Sequence, residues 1–191
     1  RFPIFFAEKR PFFLEGVDIF RTPIQAVYTR RVENPDVALK LTGKVGKNSF
    51  GVFAAIDEPL FNPKEKKAYA GAIRLKRDIG AESSIGFLAT SYTYPEKHNQ
   101  VAGFDVRWKF NTESEFNLQF LGSTSKNFYY DPDADQVNYR TGNGLNYRYS
   151  YGYSKKNVNF NVNGNAKTRD FRTDLGFNQR TDTIQNSARL N

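Results

Sequence analysis

The amino-acid sequence predicts an all-β chain, an antiparallel up-and-down transmembrane β-barrel contributing roughly ten strands to a larger barrel. Three observations predict it. Apolar and polar residues alternate in run after run, the runs are long, and the connections between them are short and long by turns. Side chains of a strand point in turn to its two faces, so each run carries one apolar and one polar face. Helical periodicity is nowhere sustained past residue 24.

In chain order, Val37, Leu39, Leu41 and Val45 alternate with Lys40, Thr42 and Lys44, and Phe50, Val52, Ala54 and Ile56 form one face of the next run. Tyr69, Ile73 and Leu75 alternate with Arg74 and Lys76. The clearest run sets Phe104, Val106, Trp108 and Phe110 against Asp105, Arg107 and Lys109. Phe116, Leu118 and Phe120 follow against Asn117 and Gln119; later Val158, Phe160 and Val162 oppose Asn157, Asn159, Asn161 and Asn163. The runs last about 9–12 residues, beyond the globular mode of about 5–6 and close to the about 9–11 that a tilted strand needs to cross a bilayer.

Connections carry a second signal. Gly46-Lys47-Asn48 and the stretches 78–82, 111–114 and 152–155 read as tight turns, whereas 58–66, 93–99 and 123–136 read as loops, the last being the longest. Such alternation is the pattern of an outer-membrane barrel. It breaks at Glu33-Asn34-Pro35-Asp36, which is short, and at 164–168, which is intermediate. Tyr147, Tyr149, Tyr151 and Tyr153 recur at every second position, and Tyr129, Tyr130 and Tyr139 also fall near strand ends, where amphipathic rings suit the headgroup level.

Composition excludes other classes. The 191 residues contain 28 Lys and Arg against 20 Asp and Glu, a net charge of +8, and 39% are hydrophobic, with no long apolar stretch for a spanning helix. With 18 Phe, 11 Tyr and one Trp, the chain is too aromatic for disorder. Cysteine is absent, which removes disulfides, thiolate metal sites and thiol nucleophiles. Methionine is absent too, and Arg1-Phe2-Pro3 is no translational start, so the chain reads as a processed product or an excised segment. Basic residues are scattered singly, with Lys64-Glu65-Lys66-Lys67 in a connection, so no nucleic-acid partner is expected.

Alternation alone does not say which way the faces point. A β-sandwich buries its apolar face; a membrane barrel turns it to lipid and lines its lumen with the polar set. That set comprises Lys40, Lys44, Arg74, Lys76, Asp105, Arg107, Lys109, Asn117, Gln119, Asn146, Arg148, Asn159, Asn161, Arg172 and Asp174, with both signs and many amides that can pair across a lumen. Strand length, loop alternation and aromatics agree on the barrel. Open strand edges are not tolerated in lipid, so strands outside this sequence or a closed form are expected.

Residues 1–24 read as an irregular periplasmic or lumen segment, with strands over 25–191. Glu8-Lys9-Arg10-Pro11-Phe12-Phe13-Leu14-Glu15-Gly16 and then Val17-Asp18-Ile19-Phe20 mix charges with aromatics, and Pro3, Pro11 and Pro23 prevent a long regular element. Glu8 to Gly16, Tyr28-Thr29-Arg30-Arg31-Val32 as a strand, Lys40 to Lys44, and Asp174-Leu175-Gly176-Phe177 with Arg180-Thr181-Asp182 are four ordered motifs. In them the chain resembles a Bacteroidota-type family of outer-membrane β-barrel proteins of unknown function. The resemblance implies location in the cell outer membrane and, in full-length members, a preceding periplasmic domain similar to family 9 carbohydrate-binding modules. It supplies no catalytic residues. Because irregular backbone at membrane depth must be buried in protein or face water, Glu8, Lys9, Arg10 and Glu15 are expected to pair with inward-facing charges.

No motif demands chemistry. Glu8, Glu15 and Asp18 could supply the two acids of a glycosidase, but each has a basic neighbour. Asp131-Pro132-Asp133-Ala134-Asp135 has calcium-loop spacing, yet Gln136 and Gly142 occupy the positions that need Gly and Glu. His98 stands alone, and Gly142-Asn143-Gly144 reads as strand glycine beside a bulge or close contact. The expectation is a non-enzymatic outer-membrane segment without cofactor or metal, of unassigned oligomeric state. Its partners would be outer-membrane lipid and glycans or anionic solutes, with Arg74, Lys76, Arg107 and Lys109 lining the lumen. The alternatives are a soluble carbohydrate-binding β-sandwich using loop aromatics Phe128, Tyr129 and Tyr130, and a surface glycoside hydrolase.

Overall fold

The computed structural model describes residues 6–59, 66–133, 135–177 and 180–191, with Tyr130 described by its backbone alone. Nine strands follow one another in one antiparallel sheet: β1 (Pro35–Val45), β2 (Asn48–Asp57), β3 (Ala68–Asp78), β4 (Ser84–Tyr94), β5 (Lys97–Lys109), β6 (Ser114–Asp131), β7 (Gln136–Lys155), β8 (Val158–Lys167) and β9 (Thr183–Leu190). Each pairs with its chain neighbours, which is the connectivity of an up-and-down barrel. Among the described residues β1 and β9 do not pair, so the sheet is open, and no second sheet lies against it. No described helix is long and apolar enough to cross a membrane.

Local chemistry sets the turns. Gly46, at φ 58°, takes the left-handed conformation that a tight hairpin requires, and joins β1 to β2 with Lys47. Asn111 Oδ1 accepts from the Glu113 and Ser114 amides at 2.9 and 2.8 Å, a side-chain-closed turn before β6. Two expected loops are strand instead. Residues 93–99 contain only a tight turn at Pro95-Glu96, and 123–136 is mostly paired, because β6 and β7 extend to 18 and 20 residues. Phe128 and Tyr129 therefore belong to a strand rather than a loop. The turn expected at 152–155 falls at Lys156-Asn157, and the long connection near the end is 168–182, not 123–136. Loop-length alternation is replaced by unequal strand lengths.

The two faces separate as the alternation requires. One cross-strand row runs Phe50, Leu75, Phe87, Phe104, Phe120, Tyr147, Ala166 and Ile184, all on the apolar face. Phe104 and Trp108 are 43% and 41% exposed, and Leu39, Leu41 and Ile73 also stand in the open. Nothing in the described chain covers this face.

The band is also oblique. On β2 it spans Phe50 to Ile56, and on β8 Phe160 to Ala166, so the row containing Phe50 is one limit of the band at β2 and the other limit at β8. Polar residues bound it: Asn48 and Arg77 beyond one limit of β2 and β3, and Ser91, Gln100, Thr124 and Asn143 beyond the other limit of β4 to β7. At about 3.3 Å per residue and about 4.8 Å per strand, the band slides about 20 Å over about 29 Å, an obliquity of about 35°. Leu145 to Tyr153 cover about 27 Å of β7, or about 22 Å when projected through that angle.

Part of the opposite face is covered by the chain itself. Strands begin only at Pro35, not at 25, and residues 6–34 lie across the polar face of the sheet as a short helix α1 (Pro11–Leu14) and two 3-10 turns, Val17–Phe20 and Thr29–Arg31. The Tyr28 to Val32 stretch is therefore a turn, not a strand: its backbone is claimed by the contacts described below. Small residues Ala55, Ala70 and Ala72 leave room for Phe13 and Phe20, which join Phe53, Leu88, Val101 and Leu121 in the buried core. Residues 168–177 form a strap over β5, β6 and β7. The Arg172 amide donates to Ser123 Oγ at 3.1 Å, and Asn99 Nδ2 donates to the Arg172 carbonyl at 3.0 Å. A Cβ on Gly144 would lie 2.1 Å from the Phe171 nitrogen, so the expected close contact at this glycine is the strap's backbone. Gly144→Val should release the strap while sparing the sheet. Limited proteolysis should cut 168–177 faster, with an unchanged β-sheet circular dichroism signal.

Candidate functional site

Residues from each of the four motifs come together on the polar face. Glu8 Oε1 accepts from the Lys9 and Arg10 amides at 3.0 Å each and from Arg10 Nε at 2.9 Å, while Oε2 accepts from Arg10 Nη2 and Thr29 Oγ1 at 2.8 Å each. Arg10 in turn donates to the Val32 and Thr29 carbonyls at 2.8 and 3.0 Å and lies 4.0 Å from the Phe13 ring centroid. The first motif thus closes on the second. Burial opposes ionisation of Glu8, but the hydrogen bonds from Arg10, Thr29 and Lys9 outweigh it and hold its carboxyl at about 2, below the usual 4.5.

The third and fourth motifs join the same assembly. Lys40 Nζ donates to the Phe12 and Glu15 carbonyls and sits 4.9 Å from the Phe12 ring, and a Cβ on Gly16, at φ 61°, would lie 2.7 Å from Thr42 Oγ1. The Tyr28 amide donates to the Leu175 carbonyl at 2.8 Å, Arg31 Nε donates to the Gly176 carbonyl at 3.2 Å, and the Phe177 amide donates to the Gln25 carbonyl at 3.0 Å. Asn178 and Gln179, between the two halves of the fourth motif, lie outside the described residues, as do Lys64 and Glu65.

The expected partners of the segment change accordingly. Glu8 and Arg10 pair with each other rather than with charges of the strands, and Lys40 uses carbonyls rather than Glu15's carboxylate. The segment is short enough for its backbone to need acceptors and donors from the sheet: Gln119 Oε1 accepts the Ile24 amide at 2.5 Å and Arg148 Nη1 donates to the Pro23 carbonyl at 3.2 Å.

All four lumen candidates stand on this polar face. Arg74 is not a free cation, however. It is 2% exposed, grips Asp105 through Nη1 at 2.5 Å and Nη2 at 2.9 Å, and donates Nε to the Ile19 carbonyl at 3.3 Å. A Cβ on Gly86 would lie 2.3 Å from its guanidinium, so Gly86 makes the space that Arg74 fills. Lys76 stands 3.8 Å from Asp78, Arg107 2.9 Å from Glu115, and Lys109 3.7 Å from Glu82. These three remain accessible, each beside a carboxylate. Arg172 and Asp174, assigned with the strand residues from sequence, belong to the strap and pair with each other at 2.5 Å. Gln119 and Asn99, both buried, are positioning residues whose polar-face placement the alternation shows but whose partners it does not.

The remaining acids take local roles. Asp131 Oδ1 closes a turn on the Asp133 amide at 3.1 Å, Ala134 lies outside the described residues, and no three metal-type ligands gather among the described ones. Asp18 pairs with Arg21 at 3.2 Å in the open. Comparison of the chain with protein-family models, with curated proteins and with solved structures finds no match.

Because the folded pKa of Glu8 is lowered, its contribution is full above about pH 4.5 and is lost as pH falls toward 2. Hydrogen-exchange protection of residues 6–34, taken relative to the intrinsic rate at each pH, should fall across that window, and Glu8→Gln should weaken docking at neutral pH by about 1–3 kcal/mol. Arg74→Ala leaves Asp105 unpaired on the covered face and should cost about 3 kcal/mol. The Arg74→Ala/Asp105→Ala double variant should cost less than the sum of the singles in detergent-solubilised thermal unfolding.

Proposed function

We propose that this chain is a non-enzymatic section of an outer-membrane β-barrel, with its apolar band on acyl tails and its polar face toward an aqueous interior. The observation that carries the reading is the uncovered, oblique band. A membrane slab sets a band at an angle to strands that tilt about 35–45°, with a height of about 25 Å. The obliquity and projected height derived above fall near both values. A soluble sandwich would need a second layer over Phe104, Val106 and Trp108, and the described chain has one sheet.

Edges β1 and β9 must then be paired in the bilayer by further strands, since lipid cannot satisfy their backbone. The resemblance to the Bacteroidota-type family agrees with this reading, because its four motifs are the residues that seat the segment on the polar face. Lys76, Arg107 and Lys109, rather than Arg74, are the cations that an anionic or sugar-like solute would meet in passage or polysaccharide handling at the cell surface.

Trp108, the one tryptophan, tests the reading directly. After reconstitution into phosphatidylcholine vesicles with brominated acyl chains, its fluorescence should be quenched and blue-shifted. Unquenched emission from protein left in the supernatant would sink the reading. Position should matter as well: Leu118→Arg, at mid-band, should cost insertion about 2–4 kcal/mol, and Tyr69→Arg, at the limit, about 0–1 kcal/mol.

A further inference from the structure

Where β6 and β7 outrun their neighbours, they and the strap enclose an open groove of about 1080 Å³. We propose that this groove binds an acidic oligosaccharide, a sugar chain bearing carboxylates, through Arg31, Arg140, Arg169 and Arg172 with Tyr129 as a ring platform. The inference rests on the reading that the polar face looks onto water.

Size argues first. The volume suits a ligand of several rings and exceeds what a single inorganic anion fills. Charge argues second. Four guanidiniums face two carboxylates, Asp170 and Asp174, so the groove keeps a positive surplus. Arg140 Nη2 contacts Asp170 at 2.8 Å and Arg172 Nε contacts Asp174 at 2.5 Å, each by one side of its fork. Arg31 donates Nε to the Gly176 carbonyl and has no carboxylate partner among the described residues; Arg169 is exposed and has none either. Planar guanidiniums with unused nitrogens are fitted to carboxylates, which they bind in pairs of hydrogen bonds.

The rest of the lining separates sugar acids from nucleic acid. Tyr129 is about half exposed and offers an apolar ring with a polar tip, and Asn127 supplies donors and acceptors for hydroxyls. A sugar acid sets ring hydroxyls beside each carboxylate, from which Asp170 and Asp174 can accept, whereas a nucleic-acid backbone offers them phosphates and at most one hydroxyl per nucleotide.

The test uses the full chain in a zwitterionic, sugar-free detergent and titration calorimetry. Tetragalacturonate should bind at least tenfold tighter than maltotetraose, with affinity that falls as salt rises. Arg169→Gln, which removes no contact within the described fold, should weaken tetragalacturonate about tenfold and leave maltotetraose unchanged, with an unaltered β-sheet signal. Tyr129→Ala should weaken both sugars. The proposal is overturned if tetragalacturonate gives no binding heat, if Arg169→Gln binds it as well as the parent, if inorganic sulfate binds equally tightly, or if polyuridylate binds tighter. None of these readouts involves a bilayer, so they stand apart from the quenching of Trp108.

Discussion

The sheet has one side that water solvates poorly and one side crowded with groups that need hydrogen bonds, and the chain covers part of the second and leaves the first open. That constraint orders the structure. The apolar side, from Leu39 through Phe104 to Leu190, is left bare. The polar side receives residues 6–34 and 168–177, which bring their own backbone groups and take partners from Gln119, Arg148, Asn99 and Ser123. Domain cores commonly lie between two regular layers. Here the core lies between the sheet and an irregular segment, and is filled by Phe13, Phe20 and Leu175 against small alanines of β2 and β3.

The four motifs make physical sense only in three dimensions. Glu8 and Arg10 neutralise one another, and Arg10 also holds the carbonyls of Thr29 and Val32 at the two ends of the 3-10 turn Thr29–Arg31. Gly16 permits a left-handed bend against Thr42, and Gly176 lets the strap approach Gln25, whose carbonyl would lie 2.5 Å from an added Cβ. Glycine at these two places is a statement about approach distance, not about flexibility. Lys40 completes the arrangement by meeting the carbonyls of Phe12 and Glu15 at the helix end, where an ammonium is electrostatically favoured.

Strand identity and face assignment were legible wherever the alternation was clean, as from Phe104 to Phe110, because a pleated backbone admits only one reading of such a run. Legibility failed where polarity ran on both faces. Ser123, Thr124, Ser125, Lys126 and Asn127 carry no apolar side to reveal a strand, yet they are paired with Gly144 to Arg140 throughout. Tyr28 to Val32 is a different case: the resemblance implies a strand there, but contacts with Leu175 and Arg10 impose a turn. Arg74 shares the polar face with its alternating neighbours but is buried and paired rather than free. Its partner Asp105 lies two strands away, and only the registers of β3 with β4 and β4 with β5 bring them together.

The strap has a consequence for the order in which the molecule is made. Thr173 Oγ1 donates to the Ala26 carbonyl and Arg31 to the Gly176 carbonyl across separations of 147 and 145 residues. Contacts of such span form late, after the intervening strands have been laid down. Residues 6–34 therefore wait, unlatched, until residues 168–177 have been made, and anything that binds Phe13 or Phe20 in the interval competes with the native seat and acts as a chaperone or as a poison.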